Sequence, residues 1–190
     1  MLSMQTETLL AQKHVKAKLC LVGETGVGKT SLIRRFVTDR FEDRYIATVG
    51  TKITKKSVDV VWRGEPRTLD MTIWDIMGEK GFRTLLKEAY FHGSQGVIAV
   101  CDLTRPDTLF DLSGWVNTAI KQVGEVPFCF MGNKNDLGGE KAVDEEDLAK
   151  LSAIHNSPYF LTSAKTGENV DAAFKVVAKS IVQQYARQYV

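Results

Sequence analysis

The stretch Lys18-Leu19-Cys20-Leu21-Val22-Gly23-Glu24-Thr25-Gly26-Val27-Gly28-Lys29-Thr30 decides how this chain is read. Its first five residues are an apolar run ended by glycine, the pattern of a short buried strand. The next eight fit the phosphate-loop pattern G-x-x-x-x-G-K-[ST]. Thr30-Ser31-Leu32-Ile33-Arg34-Arg35-Phe36 then spaces apolar residues as a helix does, so the loop joins a strand to a helix. Glycines let the backbone curl until successive N–H groups face phosphate oxygens, and the helix adds its positive N-terminal end. Glu24, Thr25, Gly26, Val27, Gly28, Lys29, Thr30 and Ser31 are therefore the expected phosphate-binding residues. Lys29 is expected to neutralise β- and γ-phosphates and the Thr30 hydroxyl to ligate Mg²⁺. A Gly-rich turn without a ligand is the bland alternative, and the spacing and flanks disfavour it. The motif specifies a nucleoside triphosphate and is silent about the base.

Working outward, three more apolar runs follow: Gly96 to Cys101, Pro127 to Met131, and Tyr159 to Thr162. Helix-like stretches at Leu109 to Val123 and Val143 to His155 separate them. Apolar strands alternating with helices predict a parallel sheet covered on both faces. Lys52 to Val61 and Arg67 to Ile73 break the rhythm. They are β-rich and flank Arg63-Gly64-Glu65-Pro66, a turn-like tetrad, so an antiparallel hairpin is expected at one edge. A final helix should place Val170, Phe174, Val177, Ile181 and Tyr185 on its core stripe.

Asn133-Lys134-Asn135-Asp136 follows the Phe128 to Met131 strand at the sheet edge where open α/β folds bind ligands. Guanine presents N1–H and a 2-amino group that one carboxylate can accept together; adenine does not. Asp136 is the expected acceptor, Asn133 a bond to N7, and the Lys134 stem a cover over the ring. Such a tetrapeptide alone is more often an ordinary polar turn. Ser163-Ala164-Lys165, after the next strand at the same edge, changes the odds, with the Ala164 N–H expected near guanine O6.

From Lys16 onward the chain resembles the small GTPases of the Ras superfamily, closest to the Rab-like and Ras-like branches. The resemblance implies a small G-protein fold of the P-loop NTPase class. That means a mostly parallel six-stranded sheet with one antiparallel edge strand and helices on both faces. It implies one G domain over residues 16–190 behind a flexible extension of residues 1–15. It also implies roles where residues match. Phe41 would pack on guanine, Tyr45 would shield the phosphates, and Thr48 would close over Mg²⁺ and the γ-phosphate. In Trp74-Asp75-Ile76-Met77-Gly78-Glu79, which resembles the second-switch motif, Asp75 would hold Mg²⁺ and the Gly78 N–H would contact the γ-phosphate. Asn133, Lys134, Asp136, Ser163, Ala164 and Lys165 would complete the guanine pocket. Lys29, Thr48, Gly78 and Glu79 would form the catalytic set, acting on GTP bound with Mg²⁺.

Thr48 and Gly78 would share one anchor, so hydrolysis would release two loops, about residues 41–51 and 76–92. Effectors, exchange factors and GTPase-activating proteins would read those loops. Phe82, Tyr90 and Phe91 are candidates there either for a contact patch or for ordinary core packing. Arg44 is a lesser candidate to approach the phosphates, whereas Arg34 and Arg35 are expected to face solvent.

Two departures from the family pattern stand out. Glu79 replaces the usual glutamine; an ionised carboxylate only accepts hydrogen bonds and adds negative charge near the γ-phosphate. Slow intrinsic hydrolysis is the expectation. Met77 stands where a small alanine is common. At the C-terminus no cysteine follows Cys129, and Met1-Leu2 excludes N-myristoylation. No intrinsic membrane anchor is therefore expected in this chain. A cytoplasmic monomer is expected, with any peripheral membrane association made through partners or a lipidated tail.

Composition agrees. The 190 residues carry a net charge of +2, with 44% hydrophobic and 25% charged residues. That balance fits one globular domain. It excludes disorder and gives no cationic excess for nucleic acid. Cys20, Cys101 and Cys129 each lie in an apolar run, without zinc-ligand spacing or a disulfide framework, which points to a reducing compartment. Three functions remain to be weighed: a GTP-hydrolysing switch, a GTP-binding scaffold with negligible turnover, and a P-loop kinase or ATPase. Asp136 and Ala164 disfavour the last.

Overall fold

The structure, a computed structural model, describes residues 14–44, 47–78 and 87–188. Strands β1 (His14–Val22), β2 (Thr51–Trp62), β3 (Glu65–Ile76), β4 (Ser94–Asp102), β5 (Phe128–Asn133) and β6 (Tyr159–Leu161) form one sheet. Helices α1 (Lys29–Thr38), α2 (Lys87–Phe91), α3 (Pro106–Val123), α4 (Glu145–Ile154) and α5 (Val170–Gln188) connect or follow them. The sheet order is β2-β3-β1-β4-β5-β6, with β2 antiparallel to β3 and every other pair parallel.

Successive strand residues point to opposite faces, and β1 shows it. Leu19 and Leu21 join a core beneath α1 and α5, whereas Cys20 and Val22 join a second core beneath α3. The first core holds Phe36 of α1 stacked on Phe174 of α5, ring centroids 4.0 Å apart. The second holds Trp115, Val116 and Ala119 of α3 against Phe130 and Phe128. All three cysteines are buried and unpaired, and burial pushes each thiol up, to about 11 for Cys20 and about 12 for Cys101 and Cys129.

Three expectations shift. β1 begins at His14, so Val15 is packed in the core and two residues assigned to the N-terminal extension belong to the sheet. The hairpin turn is Arg63-Gly64 alone, with positive φ of 52° and 78°. Two such residues in a row give the turn whose twist suits a two-residue hairpin. Glu65 and Pro66 are already strand, paired with Trp62 and Val61. Among the described residues β1 pairs with β3 from Thr68 onward, and Pro66 lies near the start of β3, where a missing ladder N–H is tolerated. Finally, Phe91 is a buried core aromatic and Tyr90 packs partly against the same cluster; Phe82 lies outside the described residues.

β1 has β3 on one side and β4 on the other, so the chain switches direction across it. Ligands in open α/β sheets bind outside the strand ends at such a point, and the phosphate loop leaves β1 there.

Candidate functional site

The turn after β1 brings Gly28 into α1 as its N-cap, with φ of 101°. A Cβ at Gly28 would stand 2.2 Å from Asn133 Nδ2. The site closes on this contact, because Asn133 Nδ2 donates to the Val27 carbonyl at 2.8 Å. Lys29 is buried, and its Nζ donates to the carbonyls of Gly23 (2.7 Å) and Glu24 (2.9 Å). Burial lowers its pKa to about 8, against the pull of Asp75 and Glu24 and with a push from Arg105. The ammonium is thus held desolvated at the loop.

Thr30 is the meeting point of three segments. Its Oγ1 donates to Asp75 Oδ2 at 2.5 Å and lies 2.8 Å from Thr48 Oγ1. Asp75 is buried at the end of β3, its Oδ1 has no hydrogen-bond partner among the described residues, and burial raises its pKa. An orphaned buried carboxylate oxygen beside two hydroxyls suits a hard divalent cation. Thr30, Thr48 and Asp75 therefore fit Mg²⁺. Gly78 lies against the phosphate loop, where a Cβ would come 2.5 Å from Glu24 C and Thr25 N. The Met77 N–H donates to Gly50 O at 3.3 Å, tying the 41–51 segment to the end of β3.

At the base end three loops converge. Asn133 Oδ1 accepts the Ala164 N–H at 3.1 Å. Asn133 therefore joins the phosphate loop to the 163–165 loop. Buried Ser163 donates its Oγ to Asp136 Oδ1 at 2.6 Å, which aims the carboxylate. Lys134, with φ of 70°, sets its Nζ 2.6 Å from Asp102 Oδ2.

A cavity of about 330 Å³ joins the two ends. Fourteen expected residues line it: Thr25, Gly26, Gly28, Lys29, Thr30, Ser31, Phe41, Thr48, Gly78, Asn133, Lys134, Asp136, Ala164 and Lys165. Arg44 and Met77 line it too. Glu24, Val27, Asp75 and Ser163 stand behind that lining and act on it through the bonds just described. Glu24 also accepts a 3.0 Å hydrogen bond from Trp115 Nε1. Phe41 lines the cavity and packs against the α1–α5 core. Tyr45 and Glu79 lie outside the described residues.

Sequence reading missed several supports. Arg35, expected in solvent, donates to the carbonyls of Ala164 (2.9 Å) and Lys165 (2.6 Å) and pairs with Asp39. Arg34 pairs with Glu42 at 2.6 Å, and both line the cavity. Asp102, fully buried, accepts from Thr104, Arg105 and Lys134. Burial alone would raise its pKa, but these bonds outweigh it and hold the carboxyl below its ordinary value. Arg105 Nη2 also donates to Thr25 O at 3.0 Å, so Asp102 and Arg105 brace the phosphate loop against the base loop. The Asp102 pattern was visible only as a charge ending an apolar strand, and the two arginines gave no signal beyond helix spacing and charge.

A phosphate loop at the end of a central strand, in a sheet with one antiparallel edge and helices on both faces, is the small G-protein version of the P-loop nucleotide-binding fold. The chain belongs to the Ras family, whose profile matches residues 18–183. It is 36% identical over 166 residues to Ras-related protein Rab-13 of Canis lupus familiaris, and 35% identical over the same length to that of Bos taurus. Each alignment covers 87% of this chain and 79% of the relative. Members of this family bind GTP and GDP, generally with Mg²⁺, hydrolyse GTP, and work with regulators and effectors. No helix among the described residues is long and apolar enough to cross a membrane.

Proposed function

We propose that this chain is a guanine-nucleotide switch that binds GTP or GDP with Mg²⁺ and hydrolyses GTP slowly. The observation that carries this is the convergence of Thr30, Thr48 and Asp75 on one hydroxyl oxygen. It gathers the phosphate loop, the 41–51 segment and the end of β3 at one point.

Mg²⁺, when bound, neutralises β- and γ-phosphate oxygens and fixes their geometry. Thr30, Thr48 and Asp75 would hold it, the Thr30 hydroxyl still free to donate to Asp75. Lys29 turns from the Gly23 and Glu24 carbonyls to the phosphates. Asp136, aimed by Ser163, accepts the two guanine donors, while Asn133 and Ala164 meet the other base edge and Phe41 packs on the ring. Water attacks the γ-phosphorus, the bond to the β-phosphate oxygen breaks, and GDP and phosphate result. The Gly78 N–H supports the developing charge. Loss of the γ-phosphate then removes the shared anchor of Thr48 and Gly78, and the loops around residues 41–51 and 76–92 relax. Effectors, exchange factors and activating proteins would read this change on a monomer, with any membrane contact made through partners or a lipidated tail.

Glu79 motivates the slow turnover and a second reading, a GTP-binding scaffold with negligible hydrolysis. Single-turnover hydrolysis of preloaded GTP, comparing the chain with Glu79→Gln, tests both. A faster Glu79→Gln supports a switch slowed by its carboxylate, and equal rates remove Glu79 as the cause. Competition between GTP and ATP tests the pocket, and equal affinities would overturn the guanine assignment.

A further inference from the structure

We infer that the Arg34–Glu42 ion pair is a latch that sets how long the nucleotide stays bound; this rests on the guanine-nucleotide reading above. A ligand in the cavity leaves only when one wall moves. The phosphate-loop wall is tied down by Asn133 on Val27 and Arg105 on Thr25. The base wall is tied by Ser163 on Asp136, Asn133 on Ala164, and Arg35 on the 164 and 165 carbonyls. These contacts are buried or partly so, or couple one wall to another.

The wall formed by residues 41–44 is held differently. Phe41 pins it by apolar packing against the core. The next residue, Glu42, pins it by an N···O contact of 2.6 Å from its Oε2 to Arg34 Nη1, with side chains 57% and 30% exposed. Asp43 and Arg44 beyond it are exposed. Arg34 rides on α1, whose Leu32, Ile33 and Phe36 are buried, so its backbone is the fixed side and the 41–44 segment the moving one. Among the described residues, opening this wall gives up one water-accessible ion pair and one aromatic contact, with no buried hydrogen bond between them. Segments secured by few buried contacts are the ones that open first.

The test is the release rate of mant-GDP from the full chain preloaded with Mg²⁺, chased with excess GDP. Arg34→Glu and Glu42→Arg each place like charges face to face and should speed release. Exposed and half-exposed pairs are worth little, and the expected gain is about threefold to tenfold. The double swap Arg34→Glu/Glu42→Arg restores attraction and should return release to within about twofold of the native rate, as a pair interaction requires. Lys179→Glu, the same charge reversal at an exposed lysine on α5, should leave release unchanged. Glu42→Gln carries the test if a swap does not fold, with a smaller acceleration expected. Unchanged release in the single variants, or a double swap as fast as the faster single, overturns the latch. Failure of the native chain to retain mant-GDP overturns the guanine-nucleotide reading, and the latch with it.

Discussion

The two ends of the cavity are built by different means. The phosphate end comes largely from one contiguous loop, whose backbone and Lys29 are set by local geometry, joined among the described residues by Thr48, Asp75 and Gly78 from elsewhere. The base end is assembled from separate loops after β4, β5 and β6, held in register by side chains: Asn133, Ser163, Arg35, Asp102 and Arg105. The first can be changed at single backbone positions. The second fails or survives according to its cross-braces.

The sharpest way to break that contrast is at the residue where the ends touch. Gly28→Ala puts a Cβ 2.2 Å from the Asn133 amide at a left-handed φ. Strain plus a lost bridging hydrogen bond should weaken mant-GDP affinity by about 100-fold or more. A change under tenfold would mean the two ends are not rigidly joined. Asp136→Ala acts on the base end alone. Removing a charged acceptor of two donors should cost about 100-fold in GTP affinity while leaving ATP affinity nearly unchanged. Equal losses for both nucleotides would show that the carboxylate serves the phosphates too.

Arg105→Ala removes a brace between the ends without touching the cavity lining. Nucleotide release should quicken by about threefold to tenfold, with the GTP-over-ATP preference intact. A loss of preference would make Arg105 part of base recognition. His155 tests ground outside both ends. Its ring stacks near Phe130, centroids 5.7 Å apart, and burial lowers its pKa from the usual 6.5. A lowered histidine pKa means the folded state favours the neutral ring. Stability is therefore full above about pH 6.5 and lost as pH falls through the folded value. His155→Leu should reduce the pH dependence of thermal stability between pH 7.5 and 5.5 without altering nucleotide release, the smallest effect of the set.

The same contrast explains what the amino-acid sequence disclosed. The phosphate loop was legible because its chemistry is contiguous and its glycines are obligatory. The base tetrapeptide became legible once Ser163-Ala164-Lys165 was set beside it. The sheet was legible from apolar runs without alternation, and its edge hairpin from β-rich flanks. The hairpin's turn was read two residues too long, because Glu65 and Pro66 have turn-like composition while the start of a strand tolerates them. Arg35 was misplaced because its acceptors are carbonyls 129 and 130 residues away. The Asp102 bond to Lys134 and the Arg105 bond to Thr25 were hidden for the same reason, since no local pattern marks a charge whose partner is brought to it by the fold.

The hydrogen bond from Trp115 to Glu24 gives the phosphate loop an optical reporter of its own. An indole N–H held 3.0 Å from a carboxylate oxygen emits according to that bond. Any rearrangement of the loop that pulls Glu24 away should alter Trp115 fluorescence. The chain can then signal its own nucleotide state without a dye. Trp115→Phe should erase the nucleotide-dependent part of that emission, while the signals of Trp62 and Trp74 remain.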